Sequence, residues 1–361
     1  MIKNIIKYTA LVITIIITTC YILGLSAQWI SPNSWTLPTY FVMLMPIWII
    51  LMFGCFLFWL CSRKWIYATS ICLLMILTFS QWRNVIIINT PTTTESKSIT
   101  ILTFNTRLFN NQSKNGFDEI TKFIKENNAD IVCLQEFGHY YNFGKSKKDI
   151  LNFFDSIYPY RHIWFKNQNT LGENGLATFS RYPIIEKKKI EYKSDDNISI
   201  YSDIVINSDT IRVINNHLES NKLNQEDRNL AQKIINKENS QDKIYNIGLN
   251  ASSKFISSAQ NRIQQVEAVR TIINNTKYPI IVLGDFNDVP LSYTYHTIAK
   301  GLQNAQAKAG EWGYHWTYNK NAMFFTIDHI LIDKNIQITD CTIHKEIKAS
   351  DHYPISCKIQ L

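Results

Sequence analysis

The stretch Ile280-Ile281-Val282-Leu283-Gly284-Asp285-Phe286-Asn287-Asp288-Val289-Pro290 decides the fold. Four consecutive apolar, mostly β-branched residues predict a strand buried on both faces. The strand is expected to end at Gly284, with Asp285, Asn287 and Asp288 following before Pro290 stops any continuation. Such a strand delivers a carboxylate and an amide to the edge of a core. An ordinary turn explains the same residues, because Gly, Asn, Asp and Pro favour turns for backbone reasons alone.

Four further segments separate these readings: Thr103-Phe104-Asn105-Thr106-Arg107, Cys133-Leu134-Gln135-Glu136, Asn215-Asn216-His217-Leu218 and Ser350-Asp351-His352-Tyr353-Pro354. Each is weak alone. In this order, and joined by Thr326-Ile327-Asp328-His329, they make a specific pattern. From about Ile99 to Leu361 the chain resembles the endonuclease/exonuclease/phosphatase superfamily, whose members include deoxyribonucleases, abasic-site endonucleases and neutral sphingomyelinases.

The resemblance implies a four-layer α/β sandwich, two packed mixed β-sheets with helices outside. It also implies a phosphodiester hydrolase dependent on Mg²⁺ or Mn²⁺, since a hard cation on carboxylates keeps positions open for phosphate and water. Glu136 and Asp351 resemble the family's metal carboxylates, and Asn105 resembles the amide that supports the metal and its ligand. Asp285 resembles the residue that orients or deprotonates the attacking water, and Asn287 the amide that steadies it. His217 and His352 resemble the imidazoles that reach the phosphate from either side. Asp328 resembles the carboxylate that fixes the ring of His352. Residue 326 is Thr where many relatives have Arg, and residue 329 is His where Tyr is common. A non-catalytic binding domain is the rival reading from another class; it predicts loss of at least one of these residues, and all are present.

The N-terminal part has a different composition. Residues 1–94 contain no Asp or Glu and five of the chain's 37 basic residues, leaving 32 basic against 29 acidic residues in the remainder. The net charge of +8 therefore belongs mostly to the N-terminal part and argues little for a nucleic-acid surface. Three uncharged apolar runs, 8–29, 40–60 and 65–82, suit the roughly 17–25 residues of a transmembrane helix. They predict a membrane anchor over 1–83, a polar linker over 84–98 and a catalytic domain over 99–361. Lys3, Lys7, Arg63 and Lys64 lie at positions read as cytoplasmic, Arg83 dissents, and the loop from Ile30 to Thr39 has no basic residue. This bias places the catalytic domain outside the cytoplasmic membrane. A signal peptide ending near Leu25-Ser26-Ala27 gives the same outcome.

Expected partners are thus a phosphodiester substrate, nucleic acid first and phospholipid second, and the bilayer; no segment calls for a protein partner. Periodicity predicts helices over Asp118–Asn127 and Lys147–Ile157, and one with Ile256, Ile263, Val266, Val269 and Ile273 on its apolar face. Residues 221–251 are the least family-like, read as a surface connection in preference to a substrate-facing flap. Three cysteines in the outer domain, Cys133, Cys341 and Cys357, do not make a complete disulfide framework. Trp312, Tyr314 and Trp316 are read as core in preference to a stacking platform for a base or a lipid.

Overall fold

The computed structural model describes residues 2–89, 98–110, 115–140, 144–168, 172–194, 197–223, 227, 241–320 and 323–361. Fourteen strands are found among them: β1 Ile99–Asn105, β2 Ile131–Tyr140, β3 Tyr160–Gln168, β4 Gly172–Ser180, β5 Ile184–Ile190, β6 Ile198–Ile206, β7 Asp209–His217, β8 Ile280–Asp285, β9 Leu302–Asn304, β10 Tyr318–Lys320, β11 Met323–Phe325, β12 Asp328–Asp333, β13 Gln337–Ile343 and β14 Ile355–Gln360. Twelve form two six-stranded sheets, ordered β13-β14-β1-β2-β4-β3 and β5-β6-β7-β8-β12-β9. Each is mixed, with a central parallel pair, β1 with β2 and β7 with β8.

Alternation along the strands explains the packing. Ile101, Cys133 and Cys357 of the first sheet share one buried cluster with Val213, Leu283 and Ile330 of the second. The other face of the first sheet packs Phe104 and Phe179 against α6 (Gly116–Asn127) and α7 (Lys147–Asp155) through Ile120, Ile124 and Phe154. The other face of the second packs Ile214 and Val282 against α8 (Gln241–Asn275) and α9 (Tyr293–Ala299) through Val266, Val269 and Ile298. β8 is buried along its whole length, as its apolar run predicts, but it continues through Gly284 to Asp285. Gly284 has φ +117°, and a Cβ there would stand 2.2 Å from the Asn216 carbonyl oxygen, so β7 and β8 approach this closely only with Gly.

The N-terminal runs fold differently from three straight spans. The first forms α1 (Ile2–Ser26), whose part Asn4–Ser26 is long and apolar enough to cross a bilayer, a property shared with signal sequences. The second is broken into α2 (Leu37–Met43) and α3 (Met45–Cys61), bent by 74°. Pro46 in the first turn of α3 accounts for the bend, because it has no N–H to continue the helix. The third gives α4 (Trp65–Leu77), 13 residues, and after a break at Thr78 the short α5 (Phe79–Trp82). At about 1.5 Å per residue α4 is about 20 Å long, short of a hydrocarbon core of about 30 Å.

These helices pack on the α/β domain. Trp59, Met52 and Met75 share a cluster with Val289, Leu291 and Ile327. The first residues of the segment expected to be a linker are docked as well. Ile87 exchanges backbone hydrogen bonds with Gly313 at 2.8 and 2.9 Å, and Arg83 and Asn89 donate to the Ala307 carbonyl. The rest of that segment, 90–97, lies outside the described residues, as do 224–226 and 228–240 of the expected insertion. Cys341 and Cys357 stand opposite one another on β13 and β14, unbonded.

Candidate active site

The second sheet presents Asp285 at the end of β8, with His217 beside it on β7 and Asp328 opposite it on β12. The first sheet presents Asn105 at the end of β1 and Glu136 on β2. Glu136 does not end its strand, as expected, but occupies a bulge between Leu134 and Phe137, with φ +46°. The bulge lets consecutive side chains do different work. Gln135 donates to Asn215 Oδ1 at 2.7 Å across the gap between the sheets, and Asn215 donates to the Ala177 carbonyl at 3.0 Å. This buried polar link registers one sheet against the other, so that Glu136 and His217 meet, their Oε1 and Nε2 3.9 Å apart.

Asn105 is fully buried, and its Nδ2 donates to both Glu136 Oε1, at 3.1 Å, and Asp285 Oδ2, at 3.0 Å. Its Oδ1 accepts from the backbone of Arg107 at 3.1 Å. Its amide oxygen is thus engaged, and Asn105 positions the two carboxylates. Asn287 steadies Asp285 through its backbone N–H, which donates to Oδ1 at 2.8 Å, while its side-chain amide donates to the Leu218 carbonyl. Asp285 Oδ2 lies 3.8 Å from both His217 Nε2 and His352 Nε2. The remaining nitrogen of His352, Nδ1, is 2.9 Å from Asp328 Oδ2. Since the partner is a carboxylate, Nδ1 carries the proton, and Nε2 is the atom turned towards Asp285.

The electrostatics follow from burial and like-charge crowding. Burial above all, and Asp328 next, raise the Asp285 carboxyl above its ordinary value, against the pull of His352 and His217. Burial disfavours a charged His352, but Asp328 and Asp285, with Asp351 adding to them, outweigh it and lift the imidazole to about 10. Burial likewise opposes ionisation of Asp351, yet His352, Arg107 and Lys320 together hold it below the usual carboxylate range. Arg107 Nε and Lys320 Nζ stand 3.8 and 3.3 Å from its Oδ2.

Glu136, His217, Asp285, Asn287, Asp351 and His352 all line one cavity of about 660 Å³. Of the eight residues expected at the site, Asn105 and Asp328 stand behind this lining, each hydrogen-bonded to a residue in it. Sequence reasoning passed over Arg107, Tyr318 and Lys320, which also line it. Arg107 lies inside a quoted motif and begins three consecutive residues with positive φ, Arg107, Leu108 and Phe109, a strained turn of the kind held at functional sites. Tyr318 and Lys320 sit on β10, which pairs antiparallel with β11 and was not among the strands expected from the sequence. Asn221, Lys222 and Leu223 line the cavity too, so the start of the expected surface connection faces the site. Trp312, Tyr314 and Trp316 do not line it; Trp312 is exposed and Trp316 stacks under Lys345. At the position where Tyr is common, buried His329 meets the Asp288 carbonyl at 2.9 Å, and burial lowers its pKa to about 4.

A model of the endonuclease/exonuclease/phosphatase family matches residues 102–352. The chain belongs to this family. It is accordingly an enzyme of the phosphodiester-hydrolase type. A second model, of a domain of unknown function, matches residues 5–85. No curated protein matches the chain. Among solved structures it is similar to an endonuclease/exonuclease/phosphatase family protein from Leptotrichia buccalis, with 16% identity, TM-score 0.51 and coverage of 73% of this chain and 100% of that one. A 3′ phosphatase from Neisseria bound to product DNA hairpin gives 18% identity, TM-score 0.51 and coverage of 73% and 100%. The human Nocturnin catalytic domain with bound sulfate anion gives 16% identity, TM-score 0.50 and coverage of 73% and 93%. At these identities the likeness is one of fold.

Enzymes of the endonuclease/exonuclease/phosphatase family generally use a divalent metal, and two groups of donors bear on it here. Asp285, Asp328 and His352 bring ligand atoms within 4.8 Å of one another, but the Asp328–His352 hydrogen bond already uses the donors that face each other. Glu136 and Asp351 offer hard carboxylate oxygens to the cavity itself, Glu136 with 29% of its side chain exposed and Asp351 with 14%. Arg107 and Lys320 beside Asp351 keep it ionised. The carboxylate pair fits Mg²⁺ or Mn²⁺ by donor chemistry.

Proposed function

We propose that the protein is a membrane-anchored, divalent-metal-dependent phosphodiester hydrolase acting outside the cytoplasmic membrane. The observation that carries the chemistry is the convergence of Asp285, His217 and His352 around one cavity, with Asp328 fixing His352. Glu136 and Asp351 would hold Mg²⁺ or Mn²⁺, Asn105 positioning Glu136, and the ion would neutralise phosphoryl charge and lower the cost of activating water. Asp285 orients or deprotonates the attacking water, its Oδ1 held by the backbone of Asn287. Protonated His352 presents an N–H to the phosphoryl oxygens or the leaving oxygen, and His217 approaches from the other side of Asp285. Helices packed on the outer face of each sheet support the four-layer sandwich implied by the resemblance.

Membrane anchoring is supported by apolar side chains that water does not accommodate. Ile13, Ile16, Ile50, Leu57, Ile66 and Leu77 are each 49% or more exposed along α1, α3 and α4. The positive residues at the start of the chain place that end in the cytoplasm, and a single crossing by α1 leaves the domain outside as three crossings would. Fusing alkaline phosphatase, active only outside, after Ser98 tests this; an inactive fusion paired with a fluorescent cytoplasmic-type reporter at the same position refutes it. For the chemistry, full-length protein in lipid nanodiscs is assayed with Mg²⁺ against DNA, RNA, sphingomyelin and phosphoinositides in parallel. Hydrolysis of at least one is expected, and inertness towards all four refutes the reading. Nucleic acid was the substrate expected first from the sequence, and the cavity wall bears on that choice.

A further inference from the structure

The active-site cavity has two unlike halves. One carries Glu136, Asp285, Asp351 and the two imidazoles. The other is walled by Tyr40, Met43, Leu44, Leu223, Phe255 and Phe325. Three of these six belong to the N-terminal helical part, which lies outside the residues matched by the family model. Resting on the phosphoester reading above, we infer that the N-terminal helices build the apolar half of the substrate site, and that the substrate is a lipid-like phosphoester whose hydrocarbon chain lies along α2.

The placement has a local cause. Tyr40, Met43 and Leu44 are spaced i, i+3 and i+4, one face of a helix. The 74° bend after Met43 ends α2 at the cavity, where this face meets the site. The face is pinned to α8: the Tyr40 hydroxyl hydrogen-bonds to Ser252, its ring lies 5.4 Å from that of Phe255, and Gln260 donates to the Pro32 carbonyl. It is not consumed by packing. Leu44 remains 42% exposed while lining the cavity, and Leu37, on the same face about two turns away, is 40% exposed. The apolar wall therefore joins the carboxylates to a helical part whose outer side chains are apolar and exposed, the side from which a hydrocarbon chain would enter.

The charge pattern favours the same occupant over nucleic acid. A polyanion needs a row of cations along its backbone. Among the described residues, the cavity offers Arg107 and Lys320, both beside Asp351, and Lys222, which pairs with Glu219 at 2.7 Å. That suffices for one phosphoryl group. A cavity of about 660 Å³ encloses a head group and the first part of a chain.

The test compares kcat/KM for methyl, hexyl and dodecyl esters of p-nitrophenyl phosphate, monomeric in solution, on full-length protein in nanodiscs. Turnover of the methyl ester reports the phosphoester reading alone; the dodecyl-to-methyl ratio reports this inference. Seating only three methylenes on the wall raises that ratio by about 50-fold. Met43→Asp combined with Leu44→Asp lowers the ratio at least about ten-fold, and Met43→Leu with Leu44→Met restores it. The ratio does not depend on how much of a variant is folded, and ester partitioning into the disc is common to all variants. A flat series in the wild type, an unchanged ratio in the double Asp variant, or an oligodeoxynucleotide turned over in preference to the dodecyl ester overturns the inference. If no ester is hydrolysed, the same comparison is read from binding of methyl and dodecyl phosphate, where equal affinities overturn it.

Discussion

Asp328→Asn is the sharpest probe of the site, because it keeps shape and removes one charge from a buried pair. His352 is lifted from 6.5 to about 10, with Asp328 the largest of the influences that raise it against the cost of burial. A shift of that size corresponds to on the order of 5 kcal/mol between the two protonation states. Losing one opposite charge at 2.9 Å should lower the imidazole by about two units or more. The sign for stability follows. A group whose folded pKa lies above its unfolded value stabilises fully below the unfolded pKa, and that contribution is lost as pH rises through the folded one. Wild-type protein should therefore lose stability between about pH 6.5 and 10, and Asp328→Asn should lose most of that dependence. Asp285 moves as well: Asp328 contributes to raising it, so the variant should ionise Asp285 at lower pH. The assay is NMR titration of labelled histidines in full-length protein with chelator present, beside thermal unfolding across the same pH range. A His352 that titrates near 6.5 in the wild type, or that is unmoved by Asp328→Asn, refutes the reasoning.

Asp285→Asn should cost ~10²–10⁴-fold in turnover at saturating Mg²⁺ by removing the group that directs the water; a wild-type rate contradicts the assignment. Chelation with EDTA should abolish hydrolysis and Mg²⁺ restore it, and full activity in chelator removes the metal from the mechanism. Gly284→Ala should destabilise by about 1–3 kcal/mol or more, because a side chain is forced onto φ +117° and against the Asn216 carbonyl; an unchanged unfolding midpoint would show that β7 and β8 separate freely. Gln135→Leu should lower kcat with little effect on KM by loosening the link that registers Glu136 against His217, and a wild-type kcat would leave that link a purely structural one.

The apolar, β-branched run at 280–283 contains the information for a strand buried on both faces, and the order of the five motifs contains the family. The helices over 116–127 and 147–155 were legible for the same reason, since their apolar faces repeat at the helical period. The bulge at Glu136 was not, because local sequence does not say where a neighbouring strand loses register. Asn105 and Asn287 were expected as amides of the candidate site, but which of their atoms bond to Asp285 was decided by the fold, in the case of Asn105 across 180 residues. Arg107 and Lys320 escaped notice because a cation declares a role only through the carboxylate it faces, here Asp351.

The N-terminal part gives the clearest division. Its composition alone marks it as apolar, free of acidic residues and outside the family's motifs, whereas the 74° break at Pro46 departs from the single span expected over 40–60. What no one-dimensional pattern contains is where the bent helix goes. Hydrophobicity sets how much surface must be covered, not which partner covers it, because the hydrophobic effect has no direction. Only the tertiary structure decided that Tyr40, Met43 and Leu44 would lie against α8 and close the apolar side of a cavity whose other side carries Glu136, Asp285 and Asp351.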